Sequence, residues 1–127
     1  MRGPLDNARV LVIENDAAVL SAMSALLTRW GCDVAIAPSG DEAAEIARDR
    51  APQAIIADLH LDHAERGTHA VTKVRGVVGA ATPAMLVTAD HSDAAQREAE
   101  QAEMTLLRKP VRPAELRSLL SFLLSQA

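Results

Sequence analysis

A chain of 127 residues has room for one domain and can bury a core without disulfide or metal staples. Its formal charge of −4 is mild, no Lys/Arg run forms a stripe, and Trp30 and Phe122 are its only large aromatics, which argues against a nucleic-acid surface of basic clusters and base stacking. No stretch reaches the roughly 18 apolar residues of a membrane span, Met1 to Asn7 holds no signal-peptide apolar run, and the lone Cys32 cannot form an internal disulfide, so a cytoplasmic protein away from membranes is expected.

Residues 1–7 read as an N-terminal extension and 8–127 as the domain. Arg9 to Ile13 is a short β-branched run, the pattern of a strand buried on both faces. It ends at Glu14-Asn15-Asp16. Val19, Leu20, Met23, Leu26, Leu27 and Trp30 follow at helical spacing, with Gly31 where a helix C-cap belongs. Asp33 to Ala37 is a second strand. Ser39 and Glu42 have capping-box spacing before a second helix through Ala43, Ala44, Ile46 and Ala47, and Pro52 lies beyond it.

The cycle repeats. Ala54 to Ala57 is a third strand ending at Asp58, followed by a polar loop to about Gly67. Val71, Val74 and Val77 mark a third helix. Ala84 to Val87 is a fourth strand ending at Thr88. Ser92 can cap a fourth helix, rich in Ala and Glu, with little apolar face. Met104 to Leu107 is a fifth strand ending at Lys109-Pro110. Pro113 suits the first turn of a last helix, with Leu116, Leu119, Leu120, Leu123 and Leu124 on one face. Five strands alternating with five helices predict right-handed βαβ crossovers and a doubly wound α/β fold around a parallel five-stranded sheet.

Four of these strands end in polar side chains: Glu14-Asn15-Asp16, Asp58, Thr88 and Lys109. In an open parallel sheet, ligands bind beyond the carboxyl ends of the strands, so these residues are expected to share a cleft. Crowded carboxylates are stable as anions only beside a cation, and hard oxygen donors suit Mg²⁺. Lys109 and Thr88 would add donors for a phosphoryl group.

These segments resemble a known family. Val10 to Asp16 resembles the acidic end of the first strand of response-regulator receiver domains. Ile55-Ile56-Ala57-Asp58-Leu59-His60-Leu61 resembles their phosphoacceptor strand. Leu86-Val87-Thr88-Ala89 resembles the end of their fourth strand, and Leu107-Arg108-Lys109-Pro110 the end of their fifth. The resemblance runs from about residue 8 to 126. It implies a flavodoxin-like, CheY-like (βα)5 sheet in the order 2-1-3-4-5. It implies Asp58 as the acceptor of a phosphoryl group from a histidine kinase or histidine phosphotransfer domain. It implies Mg²⁺ held by Glu14, Asn15, Asp58 and the backbone carbonyl of His60. Lys109, the Thr88 hydroxyl and the Ala89 backbone N–H would serve the phosphoryl group, Thr88 and position 106 would form the switch, and the bond before Pro110 would be cis. The domain would regulate a partner rather than act as an enzyme, and a homodimer is compatible with the family.

The sequence departs from the family at Asn15, where an acid usually touches the metal, and a neutral amide oxygen is a weaker ligand. Leu106 stands where the switch is usually aromatic. The loop from Asp62 to Arg66 is one residue long for the family and highly charged. These departures resemble receivers appended to hybrid histidine kinases more than those of DNA-binding regulators. Two other functions fit the residues less well: a degenerate receiver that binds a partner without phosphorylation, and a dehalogenase-type phosphatase, which needs an Asp-x-Asp that Asp58-Leu59-His60 lacks. His60, His63 and His69, with Asp62 and Glu65, match no zinc pattern and read as a solvated loop.

Overall fold

The alternation of short apolar runs with amphipathic stretches is realised as β1 (Arg9–Ile13), α1 (Ala17–Arg29), β2 (Asp33–Ala37), α2 (Gly40–Asp49), β3 (Ala54–Asp58), α3 (Gly67–Val78), β4 (Ala84–Thr88), α4 (Asp93–Gln101), β5 (Thr105–Arg108) and α5 (Pro113–Ser125). This is a computed structural model, and it describes residues 3–125. The strands pair in parallel in the order β2-β1-β3-β4-β5. Strand order reverses between β1 and β3, so the crossovers leave their ends in opposite directions and open a cleft there.

Period-two alternation divides the core into two layers. Leu11, Ile13, Ile55, Ala57 and Leu86 face α2, α3 and α4. Val10, Val12, Ile56, Met85 and Val87 face α1 and α5, where Leu27, Leu116 and Leu120 cover them. β3 and β4 are buried along their whole length. The pattern read as a two-sided apolar sheet is therefore covered on both faces.

Helix ends are held by the residues that local chemistry favours. The Asp16 carboxylate accepts from the Ala18 and Val19 N–H groups, Ser39 from Glu42, and Ser92 from Ala95. Gly31 closes α1 with φ of +95°. α2 and α3 approach closely at Gly40, where a Cβ would stand 2.9 Å from the Cα of Ala70.

Three features refine the sequence reading. β5 begins at Thr105 rather than Met104, whose N–H bonds the Ala99 carbonyl at the end of α4. The loop after β3 holds a single 3-10 turn at Asp62–Ala64, with His63 and Ala64 both at φ 60°, and His60 pairs back across it with Arg66. Within the expected extension, Leu5 is buried in the second layer and the Asn7 N–H bonds Gly31 at 2.8 Å. Residues 1, 2, 126 and 127, assigned to the extension and the domain, lie outside the described residues. Among the described residues, no helix is long and apolar enough to cross a membrane.

Candidate functional site

The ends of β1, β3 and β5 bring Glu14, Asp58 and Lys109 together. Glu14 is 6% exposed and Asp58 8%, unusual burial for carboxylates. Lys109 crosses the cleft, its Nζ donating to Asp58 Oδ2 at 2.8 Å. The His60 N–H donates to Asp58 Oδ1 at 2.8 Å, so both oxygens are held and the carboxylate has one orientation. Glu14 Oε1 accepts the Asp16 N–H at 3.1 Å. The strand ends are locked in register by Leu59 N–H to Val87 and Lys109 N–H to Thr88 carbonyl bonds of 2.9 and 2.7 Å. The Lys109–Pro110 peptide is cis.

The two carboxylates are electrostatically unequal. Burial, reinforced by a hydrogen bond with Asp58, pushes Glu14 up to about 7. Burial also works to raise Asp58, but hydrogen bonds from Glu14, Lys109 and the His60 N–H outweigh it and hold Asp58 below its ordinary range. For Lys109, burial favours the neutral amine, and the hydrogen bond and charge of Asp58 override it, leaving the ammonium more basic than usual. The arrangement is an ionised Asp58, a cation beside it, and a Glu14 that carries a proton up to near neutrality. Two buried acids sharing a proton offer oxygen donors to which a divalent cation can bind in place of that proton, so the donor chemistry fits Mg²⁺. Among the described residues, no group of three or more His, Cys, Asp or Glu is arranged to hold a metal ion. The fit therefore rests on two carboxylates, to which only uncharged oxygens could be added.

The remaining expected residues are placed less uniformly. Thr88 is fully buried at the end of β4, and its Oγ1 accepts the Asp90 N–H at 2.9 Å. Ala89 is exposed beside it. Asn15 lines a separate groove with Ser39, Asp62 and His63, whereas a crevice of about 330 Å³ holds Glu14, Asp58 and Lys109. Leu106 pairs with Leu86, one step of pleat back from Thr88, and packs against the first core layer. Asp62 also lines the groove with Asn15, so it stands outside the Asp58 crevice, where the second acid is Glu14.

The sequence reading missed three residues around the site. A Cβ on Gly67 would overlap the Asp58 carbonyl oxygen and stand 2.9 Å from its carbon, so only glycine lets the loop close against Asp58. Glu65 bonds the Gly40 N–H at the start of α2 at 3.0 Å and Lys73 of α3 at 3.2 Å. Arg66 pairs with Glu98 of α4 through two nitrogens and contacts His60 Nδ1 at 3.0 Å. Only Gly67, at the first position of α3 after a turn, carries a local signal.

The response regulator receiver domain family matches residues 10–121. This chain belongs to that family. Among relatives of the receiver, the transcriptional regulatory protein ZraR of Escherichia coli O157:H7 is 33% identical over 84 residues, covering 66% of this chain and 19% of that protein. The chain thus spans about a fifth of the length of the curated relatives it matches. The Vibrio cholerae chemotaxis protein CheY4 superposes with a TM-score of 0.84 at 26% identity, covering 91% of this receiver and 98% of that chain. The receiver domain of a Pseudomonas aeruginosa sensor histidine kinase, described with a magnesium ion coordinated in its active site cleft, superposes with a TM-score of 0.82 at 25% identity, covering 94% and 98%. The two solved structures share the flavodoxin-like sheet found here.

Proposed function

We propose that this receiver accepts a phosphoryl group on Asp58 from a phosphohistidine, in a Mg²⁺-dependent reaction, and regulates a partner through the resulting change. The observation that carries the reading is Asp58 itself: buried, fixed through both oxygens and touched by Lys109 at 2.8 Å. A carboxylate oxygen attacks phosphorus, the P–N bond of the donor breaks, and its electron pair returns to the imidazole, which takes up a proton from solvent. Lys109 swings from the carboxylate to the phosphoryl oxygens as negative charge moves there. Thr88 exchanges the Asp90 N–H for a hydrogen bond to the same oxygens, assisted by the Ala89 N–H. When bound, Mg²⁺ supplies charge neutralisation for the phosphoryl oxygens. Glu14, Asp58 and the His60 carbonyl would hold it, and Asn15, turned in from its groove, would add only a neutral oxygen.

The crevice beside Asp58 supports a helical donor. Val19, Ala22, Met23 and Leu26 of α1 and Val111 after β5 form an apolar wall next to the acceptor, suited to the apolar face of a histidine kinase or phosphotransfer helix. The cytoplasm is the compartment for such an exchange. The charge of −4 supports a protein partner, a second copy included, over direct contact with nucleic acid.

The test is intact mass after incubation with Mg²⁺ and acetyl phosphate. The expected result is one added phosphoryl group, lost in Asp58→Asn and with EDTA. No adduct in the wild type would point instead to a receiver that binds its partner without phosphorylation.

A further inference from the structure

Helix α4 is held unlike its neighbours. Only Ala95 and Ala99 are buried, so its position depends on polar ties. At its end, Arg75 of α3 donates to the Ala102 and Glu103 carbonyls at 2.9 and 3.2 Å. At its middle, Glu98 receives Arg66 through two nitrogens and the Thr68 hydroxyl at 2.8 Å. Arg66 is also tied to the acceptor. Its backbone pairs with His60, whose N–H holds Asp58, and the next residue, Gly67, lies against the Asp58 carbonyl. The Arg66 guanidinium already touches His60 Nδ1 at 3.0 Å, two residues along the chain from Asp58.

We propose that Arg66 is a second cationic ligand for the phosphoryl group, stored on Glu98 until Asp58 is phosphorylated. This rests on the reading of Asp58 as the acceptor. The Arg66–Glu98 side chains are 42% and 30% exposed, so water competes for the pair and softens the cost of exchanging partners. A phosphoryl dianion is a stronger bidentate partner for a guanidinium than a single carboxylate. When Arg66 leaves, the middle of α4 keeps only the Thr68 hydroxyl bond while its end keeps the Arg75 clamp, so it swings about its C-terminal end. The device supplies an output that Leu106 has no ring to provide.

The experiment compares wild type, Arg66→Gln and Glu98→Gln at limiting acetyl phosphate with Mg²⁺. Intact mass gives the phosphorylated fraction and hydrogen exchange reads α4. In the wild type, phosphorylation should speed α4 exchange by about tenfold or more, the mark of a local opening. Both variants should show that fast exchange without phosphate. They should differ in phosphorylation: Arg66→Gln falls several-fold through loss of a ligand, whereas Glu98→Gln, with Arg66 released, matches or exceeds the wild type. Equal phosphorylation in the two variants, or wild-type α4 exchange indifferent to the adduct, overturns the proposal and leaves the acceptor reading standing. Absence of any adduct in the wild type overturns both.

Discussion

Glu14→Gln should stabilise the protein above neutral pH and leave it almost unchanged in acid. Glu14 titrates near 7 in the folded protein, against an ordinary 4.5. Between these values the folded state holds a proton that the unfolded chain has lost, so stability falls as pH rises and levels off above about 7. The gap corresponds to about 3 kcal/mol, reduced to roughly 1–3 kcal/mol by water at the cleft mouth. Glutamine keeps a donor toward Asp58 and never ionises. At pH 5 the variant and wild type should therefore unfold at similar urea concentrations, and at pH 8.5 in EDTA the variant should be the more stable by that amount. Trp30 is the natural probe, because it is the single tryptophan and stacks under Arg117 of α5 at 5.6 Å. Saturating Mg²⁺ should close the gap at pH 8.5 by neutralising the wild-type pair. A stability difference independent of pH would refute the shared proton, and with it the argument that the pair is built for a cation.

Gly67→Ala should cost several kcal/mol, because the new methyl meets the Asp58 carbonyl and the loop must shift; a fall in melting temperature together with slower phosphorylation checks it. Leu120→Ala, at a fully buried α5 position, should cost about 2–5 kcal/mol in urea unfolding, while Phe122→Ser, at 58% exposure on the same helix, should cost under about 1 kcal/mol. Asn15→Asp should tighten Mg²⁺ binding measured by Trp30 fluorescence or calorimetry, since it adds a charge to a site with only two carboxylates. Equal affinities would mean that residue 15 stays in the groove beside Ser39 and Asp62.

The strand ends are legible in the sequence because an apolar run that stops at a polar residue can hardly stop anywhere but at the sheet edge. That logic reaches Glu14, Asp58, Thr88 and Lys109, each from local pattern alone. It does not reach their inequality. The raised Glu14 and lowered Asp58 depend on which strands are neighbours, a property of order and not of any strand. Asn15 illustrates a second limit. One residue past Glu14 in the chain, it lines a different groove, and its spacing does not tell whether it turns inward. Arg66 and Glu98 lie 32 residues apart with no shared motif. Their meeting depends on the turn at Asp62–Ala64, where two non-glycine residues take positive φ against their usual preference.

The distribution of apolar contacts also separates frame from moving part. β1, β3 and β4 sit between two packed layers, and displacing any of them would expose Leu, Ile and Val side chains at about 25 cal/mol per Å². α4 buries two alanines, so its docking is cheap to undo. A phosphoryl group can change local electrostatics by only a few kcal/mol, enough to exchange exposed ion pairs and turn contacts but not to part a sheet. Thr88, buried in the rigid layer yet bonded through its hydroxyl to Asp90 at the entry to α4, stands at the border between them. On this reasoning the signal proposed for Asp58 would leave by the β4–α4 connection and the Arg66 tie, because those are the contacts weak enough for it to break.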